Sequence, residues 1–525
     1  MRYVPYRLPG AGLIVAVILG VIALLAGSGI LLQARPSDAQ ATAVDRARIV
    51  GGDPPGSHGP RAYPTNSYQE LATRSVRLIE RSFYNGTGLW HMCVPVICNT
   101  KNRDWGADAL TNTLYFRWML TRDSSVLPYL RRLSLTSHLW VPADIGSSDT
   151  AMWDAVAEMR EYQVTGSRVA LAKAEAAFRW VDTLEAANFG SGACPQVDFQ
   201  WPHGRRSDLK TLETGSNYVK AALLLYQATG QRFYLSRAET AYAIDRRYFL
   251  ARTVPLYTVY LADNGRSCRP LTGRFFASVN GNMIWAGAVL ARDTGKSAYL
   301  RQAITTAQAV KYHLSDATGV FTDLQADNDI VEPLIEAMYY LAAVDHLSFA
   351  RAWLLTAASA AGGDVNSQGA FGRFFNGPPP SWLATAWQTT GGAALMQAAA
   401  ALKPGGVPAG AGYWQHARFL ARARQLTGKV LRITFTGRAI AIIGTIGAVC
   451  CTSGHARVLI DGVQTFDRTG IWQNKTSPST RQYGQVLFAW RWPTTGHHVI
   501  TILPGIRNGL EGRSYFAMAG YYLVS

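Results

Sequence analysis

The chain has 525 residues, 48% of them hydrophobic, so it is long enough to form two or three domains with large buried cores. Lysine and arginine number 51 against 34 acidic residues, which gives a net charge of +17. The basic residues are scattered and no nucleic-acid-binding motif accompanies them. The charge therefore indicates either an arginine-rich solvated surface or affinity for an anionic envelope or acidic polysaccharide, and it argues against nucleic acid.

The segment 11–33 is almost entirely apolar and carries no charge. As a helix it would span roughly the 30 Å of a bilayer core, and the two arginines before it favour an amino terminus in the cytoplasm. Residues 1–35 are therefore predicted to be a membrane anchor, followed by a flexible stalk over 36–65. A cleaved signal peptide is the alternative, because Ala39-Gln40-Ala41 resembles a cleavage site. Both interpretations place the body outside the cytoplasm.

Three similar stretches recur about every 65 residues, with a Thr-Gly pair at Gly166, Gly230 and Gly295. Glycine accepts the left-handed conformation that ends a helix, so each pair predicts the turn of an αα-hairpin. Helical periodicity continues through residues 66–403, which leaves room for five or six such hairpins. We therefore predict an (α/α)6 toroid, in which inner helices surround a cavity that opens at one end.

Proline and glycine mark a break after the helices, and residues 404–428 are predicted to be a linker that includes a short helical stretch. The periodicity then changes from 3.6 to 2. Strands are predicted at 429–435, 456–460, 485–490 and 498–502. Asp461-Gly462 predicts a tight turn. Residues 429–525 are therefore expected to form a β-sandwich.

The cysteines fit an exported protein. Cys93 and Cys98 are close enough in sequence to close a small loop, and Cys194 and Cys268 fall between predicted helices. Since disulfides form outside the cytoplasm, we predict two bridges among these four residues. The spacing of Cys93 and Cys98 is weak evidence for zinc.

Acidic residues at the starts of toroid helices are the candidates for chemistry, because cleavage of a sugar chain requires two carboxyl groups. Asp149 lies at a loop-to-helix junction, with Trp153 one turn later. Other acids at such junctions are Asp104 and Asp108 beside Trp105, Asp208, Glu213, Asp329 and Glu332. The competing interpretation for each is a helix cap or a solvated surface residue. No P-loop, zinc signature or Gly-x-Ser-x-Gly elbow occurs, and neither a metal nor a cofactor is predicted.

These motifs resemble those of glycoside hydrolase family 76, the endo-α-1,6-mannanases, over roughly residues 100–402. The resemblance rests on the segments Trp105–Leu110, Ser148–Trp153, Lys210-Thr211, Val279–Asn282 and Trp387–Thr390. The resemblance implies an (α/α)6 toroid and a glycan substrate such as α-mannan. It also implies two adjacent active-site aspartates, of which the first is the nucleophile and the second is the acid/base. The β-region resembles galactose-binding-like sandwiches.

The second aspartate of that pair is carried over to Asp149, whereas the first falls on Ser148, whose neutral hydroxyl is a poor substitute for a nucleophilic carboxylate. The sequence therefore favours a membrane-anchored extracytoplasmic glycoside hydrolase, with a catalytically inactive glycan-binding protein as the alternative and a lyase on acidic sugars as a third interpretation. The predicted catalytic residues are Asp149, Asp208 and Asp104. The predicted substrate-binding residues are Ser148, Trp153, Trp105, Asp108, Asn280, Trp285 and Asp329. Most of these acids are expected around one end of the toroid, opposite the Thr-Gly turns.

Overall fold

A computed structural model describes the chain between Asn66 and Ser525. The described residues are 66–86, 88–96, 100–101, 105–130, 147–186, 209–263, 267–270, 275–322, 330–372, 374–380, 383–409, 413–427, 430–446, 456–464, 482–504 and 515–525. All of them belong to one compact unit that begins at Pro55. The predicted anchor and stalk lie outside the described residues. Among the helices that are described, none is both long and apolar enough to cross a membrane.

The first part of the described chain is helical and contains twelve α-helices within those residues. Their bounds are α1 Tyr68–Leu78, α2 Trp105–Thr121, α3 Leu127–Leu130, α4 Ser148–Thr165, α5 Arg168–Ala186, α6 Leu212–Thr229, α7 Arg232–Phe249, α8 Ala277–Thr294, α9 Ser297–His313, α10 Glu332–Ala343, α11 Ser348–Gly363 and α12 Ala386–Leu402. The even-numbered helices pack side by side in the order α2–α4–α6–α8–α10–α12, and α12 packs on α2, so they close an inner ring. The odd-numbered helices α1, α5, α7, α9 and α11 pack around this ring. The predicted toroid is thereby observed.

The two layers differ in how their side chains are buried. The inner helix α4 is buried on every face from Ala151 to Glu161. The outer helix α7 buries one stripe that includes Tyr234, Ala238 and Tyr242, spaced four residues apart, and its side chains off that stripe are partly or fully exposed. A helix buried all round belongs to a layer with neighbours on all sides, and an amphipathic helix belongs to a layer that faces water. The burial pattern therefore agrees with an inner and an outer ring.

The predicted Thr-Gly turns are confirmed. Gly166, Gly230 and Gly295 stand immediately after α4, α6 and α8 in the left-handed region, with φ between 70° and 74°. The backbone N–H of each donates to a carbonyl four residues earlier, which closes the helix end. Each turn leads directly from an inner helix to an outer one, so all three lie at the same end of the toroid.

We expect Gly230→Ala to lower the free energy of unfolding by about 1 kcal/mol, since a Cβ disfavours the left-handed conformation. The cost should be purely conformational, because a Cβ at Gly230 would meet no atom within 4 Å. Urea unfolding measures this effect. The control is Gly230→Asn, which tolerates positive φ better and should cost less; equal stability of the alanine variant and the unmodified protein would contradict the prediction.

Among the described residues, seven short strands flank the toroid helices: β1 Trp90–His91, β2 Cys93–Val94, β3 Thr100–Lys101, β4 Leu209–Thr211, β5 Tyr260–Asp263, β6 Cys268–Pro270 and β7 Ala384–Thr385. β2 pairs with β7, which ties the chain after α1 to the start of α12. Cys93 in β2 and Cys268 in β6 are both disulfide-bonded. The predicted pairings remain predictions, because Cys98 and Cys194 lie outside the described residues.

The C-terminal region forms one antiparallel sheet of six strands within the described residues, in the order β11-β10-β12-β9-β13-β8. The strands are β8 Arg418–Thr427, β9 Leu431–Ile446, β10 Ala456–Ile460, β11 Val463–Gln464, β12 Gln482–Pro504 and β13 Tyr515–Val524. Asp461-Gly462 forms the predicted turn between β10 and β11, with both residues at positive φ. The prediction of a β-sandwich is thus confirmed only as a β-sheet region: the described strands form one sheet, and their buried side chains belong to one hydrophobic core.

Two predictions for this region were wrong. The stretch expected to be helical before Thr427 is strand β8, which pairs with β13, so the linker is shorter than predicted. Its alanine, arginine and leucine favour a helix locally, but strand pairing overrides that preference. The strands predicted at 485–490 and 498–502 are one strand, β12. The turn-like residues between them lie in a register shift between Arg491 and Gly496, and pairing with β9 continues on both sides of it.

Candidate functional site

The candidate site lies at the end of the toroid where the inner helices begin, which we call the mouth. Asp149 is the second residue of α4 and is buried, with 7% of its surface exposed. The N-cap of α4 is Ser147, whose side chain accepts a hydrogen bond from the backbone N–H of Thr150. The alternative interpretation of Asp149 as the helix cap is therefore wrong, since a neighbouring serine performs that function.

Ser148, the first residue of α4, faces the adjacent inner helix. Its hydroxyl lies 3.1 Å from the hydroxyl of Thr214 on α6, and both side chains are buried. The residue that stands in place of the first family aspartate is thus engaged in a contact between two helices of the ring.

Below the mouth, charged side chains cross the axis of the toroid. Arg160 on α4 donates a hydrogen bond to Glu336 on α10, and these two helices are opposite one another in the ring. Lys220 on α6 donates to the other carboxylate oxygen of Glu336 at 2.6 Å and to the amide oxygen of Asn282 on α8 at 3.2 Å. All four are at least nine-tenths buried. We call Arg160, Lys220, Asn282, Glu336 and the neighbouring Glu332 the axial cluster.

Aromatic rings complete the surroundings of these cations. The guanidinium of Arg160 lies 4.6 Å from the ring centre of Tyr115 on α2, and the ammonium of Lys220 lies 5.4 Å from that of Trp285 on α8. The negative face of an aromatic ring attracts a desolvated cation. Trp285, predicted from sequence to bind sugar, therefore packs against the axial cluster, with 5% of its surface exposed.

The pKa values of the two carboxyl groups in the axial cluster are shifted in opposite directions. Burial, followed by the nearby charge of Glu336, raises the pKa of Glu332 to about 7. Burial would also raise the pKa of Glu336, but Arg160 and Lys220 outweigh it and lower that pKa. Glu332 Oε2 is buried and has no hydrogen-bond partner among the described residues. The cluster thus holds a carboxyl that exchanges a proton near neutral pH beside a carboxylate that stays ionised.

Helical periodicity shows which mouth residues share a face with the axial cluster. Asp149 and Arg160 are eleven residues apart on α4, so they lie within about 20° of one another, about 16 Å apart along the helix. Glu332 precedes Glu336 by one turn on α10, about 6 Å toward the mouth. By the same periodicity, Asp108 on α2 lies on the face of Tyr115. Three inner helices therefore carry a carboxyl group near the mouth on the face turned to the axis.

Glu213, on the second position of α6, is a fourth acid at this end. Its carboxylate accepts a hydrogen bond from the hydroxyl of Tyr260 at 3.1 Å, and its backbone N–H donates to the side chain of Thr211, the N-cap of α6. As with Asp149, the acid stands inside the first turn and a hydroxyl residue supplies the cap.

Tryptophans also stand at the mouth. Trp105 and Trp387 begin the adjacent inner helices α2 and α12, and their ring centres are 5.4 Å apart at an interplanar angle of 38°. Trp105 is partly exposed, which leaves ring surface available for stacking. Trp153 is almost fully buried and belongs to the hydrophobic cluster that also contains Trp387.

Asn280 has a different role from the predicted contact with sugar hydroxyls. Its amide accepts from the backbone N–H of Tyr257 at 2.9 Å and donates to the carbonyls of Tyr257 and Phe276. The side chain is fully buried. Asn280 therefore clamps the chain before β5 to the start of α8.

Some predicted site residues cannot be placed: Asp104, Asp208 and Asp329 lie outside the described residues. Others were missed, since Arg160, Lys220 and Glu336 were not singled out from sequence. Their one signal is a charged residue within the span of an inner helix, which becomes informative only when the helix is known to belong to the buried inner ring. Within the described ranges, no group of three or more His, Cys, Asp or Glu side chains is arranged to hold a metal ion.

The raised pKa of Glu332 predicts a pH-dependent stability. A carboxyl group with a higher pKa in the folded than in the unfolded state binds more protons when folded, so the unfolding free energy falls as pH rises from about 4.5 to about 7. We expect a loss on the order of 3 kcal/mol across this window. The lowered pKa of Glu336 acts in the opposite sense and only below about 4.5.

The measurement is urea unfolding from pH 4.5 to 8 for the unmodified protein and for Glu332→Gln, which resembles the protonated form. The variant should be the more stable of the two at pH 8 and should show a flatter profile. A variant with the same slope as the unmodified protein would assign the pH dependence to other groups.

Several solved structures of family 76 glycoside hydrolases share this fold. An α-1,6-mannanase from Salegentibacter sp. HEL1_6 is 18% identical with a TM-score of 0.56, and the match covers 64% of this chain and all of that one. An inactive variant of that enzyme, with two consecutive aspartates replaced by alanine, binds α-1,6-mannotetrose and matches equally well. An α-mannanase from Bacteroides thetaiotaomicron is 16% identical with a TM-score of 0.53, over 64% of this chain and 96% of that one.

No protein-family model matches the sequence, and no curated protein is similar to it. The likeness is therefore one of fold: the helical region of this chain has the toroid of the family 76 mannanases. The covered share of the chain, 64%, is about the share that the toroid makes up.

Proposed function

We propose that the protein is a glycoside hydrolase that cleaves a polysaccharide within the toroid. The observation that carries this proposal is the position of Asp149. It stands in the first turn of an inner helix, its capping role is taken by Ser147, and it shares the face of Arg160, which reaches across the axis. A carboxyl group in that position stands at the mouth, where a sugar chain would enter.

In this mechanism Asp149 is the general acid that protonates the leaving glycosidic oxygen, and a second carboxylate activates the attacking water. Among the described residues, Asp108 and Glu332 share the axis-facing side of the ring with Asp149; Asp104, Asp208 and Asp329 are the other candidates. Because Ser148 has no carboxylate, we propose inversion, for which the two carboxyl groups stand roughly 6.5–9.5 Å apart.

The substrate we propose is an α-mannan or a related polysaccharide. The Salegentibacter enzyme of the same fold is an α-1,6-mannanase, and its inactive variant binds a mannotetrose. The ring of Trp105, paired with Trp387 at the mouth, supplies an apolar face of the kind on which a sugar ring stacks.

We also propose that the body of the protein lies outside the cytoplasm, anchored by the apolar segment 11–33 or secreted after cleavage near Ala39-Gln40-Ala41. Two observations support export: the length and apolar character of that segment, and the disulfide bonding of Cys93 and Cys268. Disulfides persist in oxidising compartments.

A glycan-binding protein without activity is the second candidate, and the contact between Ser148 and Thr214 favours it. At the position of the family nucleophile, Ser148 has a neutral hydroxyl, and that hydroxyl contacts Thr214 on the neighbouring helix. A toroid of this kind would keep its sugar-binding surfaces and lose covalent catalysis.

The deciding experiment incubates the purified protein with linear α-1,6-mannan, branched α-mannan and unrelated envelope glycans, and measures both released reducing ends and binding. Turnover of any glycan supports the hydrolase. Binding without turnover identifies the glycan-binding protein. Neither binding nor turnover across the panel would reject both functions.

We expect Ser148→Asp to raise turnover of α-1,6-mannan at least tenfold, because it restores a carboxylate next to Asp149. The hydroxyl of Thr214, which lies 3.1 Å from that of Ser148, can donate a hydrogen bond to that carboxylate. The measurement is the rate of reducing-end release, with Ser148→Asn as the isosteric control that adds no charge. Equal rates for the two variants would show that a carboxylate at this position does not take part in the reaction.

A further inference from the structure

A pocket of about 410 Å³ lies between the toroid and the C-terminal sheet. It is bordered by α1, α11, the segment after α12, and strand β12. Lys403, one of its residues, directly follows the last residue of α12, a helix of 17 residues that begins at the mouth. At 1.5 Å per residue the pocket is about 25 Å from the mouth along that helix, so it is separate from the site around Asp149. We call it the junction pocket.

Arg491 on β12 is the distinctive residue of the junction pocket. Its guanidinium lies 3.6 Å from the ring centre of Tyr413, and the residue is 7% exposed. Its Nε and Nη1 have no hydrogen-bond partner among the described residues. A buried donor without an acceptor costs about 1–3 kcal/mol, and more when it is charged. Arg491 thus lines the pocket and carries two buried donors that have no acceptor among the described residues.

The carboxyl groups near Arg491 accept hydrogen bonds from other residues or are disfavoured as anions by burial. Asp316 accepts hydrogen bonds from the hydroxyl of Thr318 at 2.6 Å and from the amide of Asn376 at 2.8 Å, and burial raises its pKa. Burial raises the pKa of Asp364 well above its usual range, against the opposing effect of Arg491. The charge of Arg491 is therefore only partly balanced from within the protein.

The other lining side chains add a second cation and several hydroxyl groups. Lys403 is exposed at the rim. Hydroxyls are contributed by Tyr68, Thr318, Thr356 and Ser359. A guanidinium and an ammonium recognise carboxylate or phosphate oxygens, and hydroxyl groups match those of a sugar. The net charge of +17 favours approach of a negatively charged polymer.

We propose that the junction pocket binds an anionic sugar, whose carboxylate or phosphate group contacts Arg491 and Lys403 while its hydroxyl groups face Thr356 and Ser359. This site does not depend on catalysis at Asp149. It would hold an acidic glycan at the opposite end of the toroid from the mouth.

Calorimetric titration of the full chain with glucuronate, mannose 6-phosphate, mannose and inorganic phosphate tests this assignment. We expect at least one of the two anionic sugars to bind, more tightly than mannose or phosphate alone, and more weakly as salt increases. Preference for glucuronate or for mannose 6-phosphate distinguishes a carboxylate from a phosphate ligand.

Lys403→Gln should weaken that binding at least threefold and Arg491→Gln at least tenfold, whereas Lys311→Gln, at an exposed lysine on the outer helix α9, should leave it unchanged. Lys403 is exposed, so its variant decides the question even if Arg491→Gln does not fold. Absence of binding, inorganic phosphate binding as tightly as both sugars, or equal binding by the Lys403→Gln and Lys311→Gln variants would overturn the proposal.

Discussion

Asp149→Asn is expected to lower kcat on the cleaved glycan by about 10²–10⁴-fold, the usual contribution of a positioned general acid. Asparagine has nearly the same shape as aspartate but cannot give a proton to the leaving oxygen. Glycan affinity should change much less, because the side chain acts at the bond that breaks. The measurement is single-turnover hydrolysis together with equilibrium binding of the same oligosaccharide.

The matched control is Ser148→Ala, one residue earlier on the same helix. It removes the hydroxyl that contacts Thr214 and leaves Asp149 in place, so we expect a change in kcat below about tenfold. Unchanged turnover in the Asp149→Asn variant would remove that residue from the mechanism. An equal loss in both variants, with lowered stability, would indicate a disturbed helix start instead of a lost proton donor.

The toroid could be predicted from sequence because its signals are local and repeated. Gly166, Gly230 and Gly295 mark the ends of inner helices, and the left-handed conformation that they adopt is a property of glycine itself. The C-terminal sheet was harder to predict. β8 has a helix-favouring composition, and its partner β13 lies about 90 residues later in the chain, so pairing is invisible to any local pattern.

The candidate site could likewise be predicted from sequence only in part. The start of α4 could be located, but whether Asp149 or Ser147 caps the helix depends on a side-chain hydrogen bond that composition does not determine. The axial cluster depends on contacts between helices that are distant in sequence: Arg160 and Glu336 meet only because α4 and α10 are opposite in a closed ring. A pattern within one helix cannot show which charge it will meet across the axis.

That cluster gives the largest expected effect on stability. Glu336 accepts hydrogen bonds from both Arg160 and Lys220, and all three are more than nine-tenths buried. Glu336→Gln keeps the volume of the side chain and removes its charge. We expect it to lower the free energy of unfolding by about 3–5 kcal/mol, because it leaves two buried cations opposed only by Glu332. Urea unfolding at pH 7 measures the change.

The same substitution at an exposed ion pair provides the comparison. Glu239 accepts a hydrogen bond from Lys296 at 2.5 Å on the outer layer, where the lysine side chain is 60% exposed. Glu239→Gln should cost less than about 1 kcal/mol, since water replaces the lost contact. The Glu336→Gln variant should also show a smaller fall in stability between pH 4.5 and 7, because the negative charge of Glu336 no longer helps burial to raise the pKa of Glu332. Similar costs for the two variants would mean that water reaches the axial cluster and screens its charges, in which case the cavity of the toroid extends below Glu336.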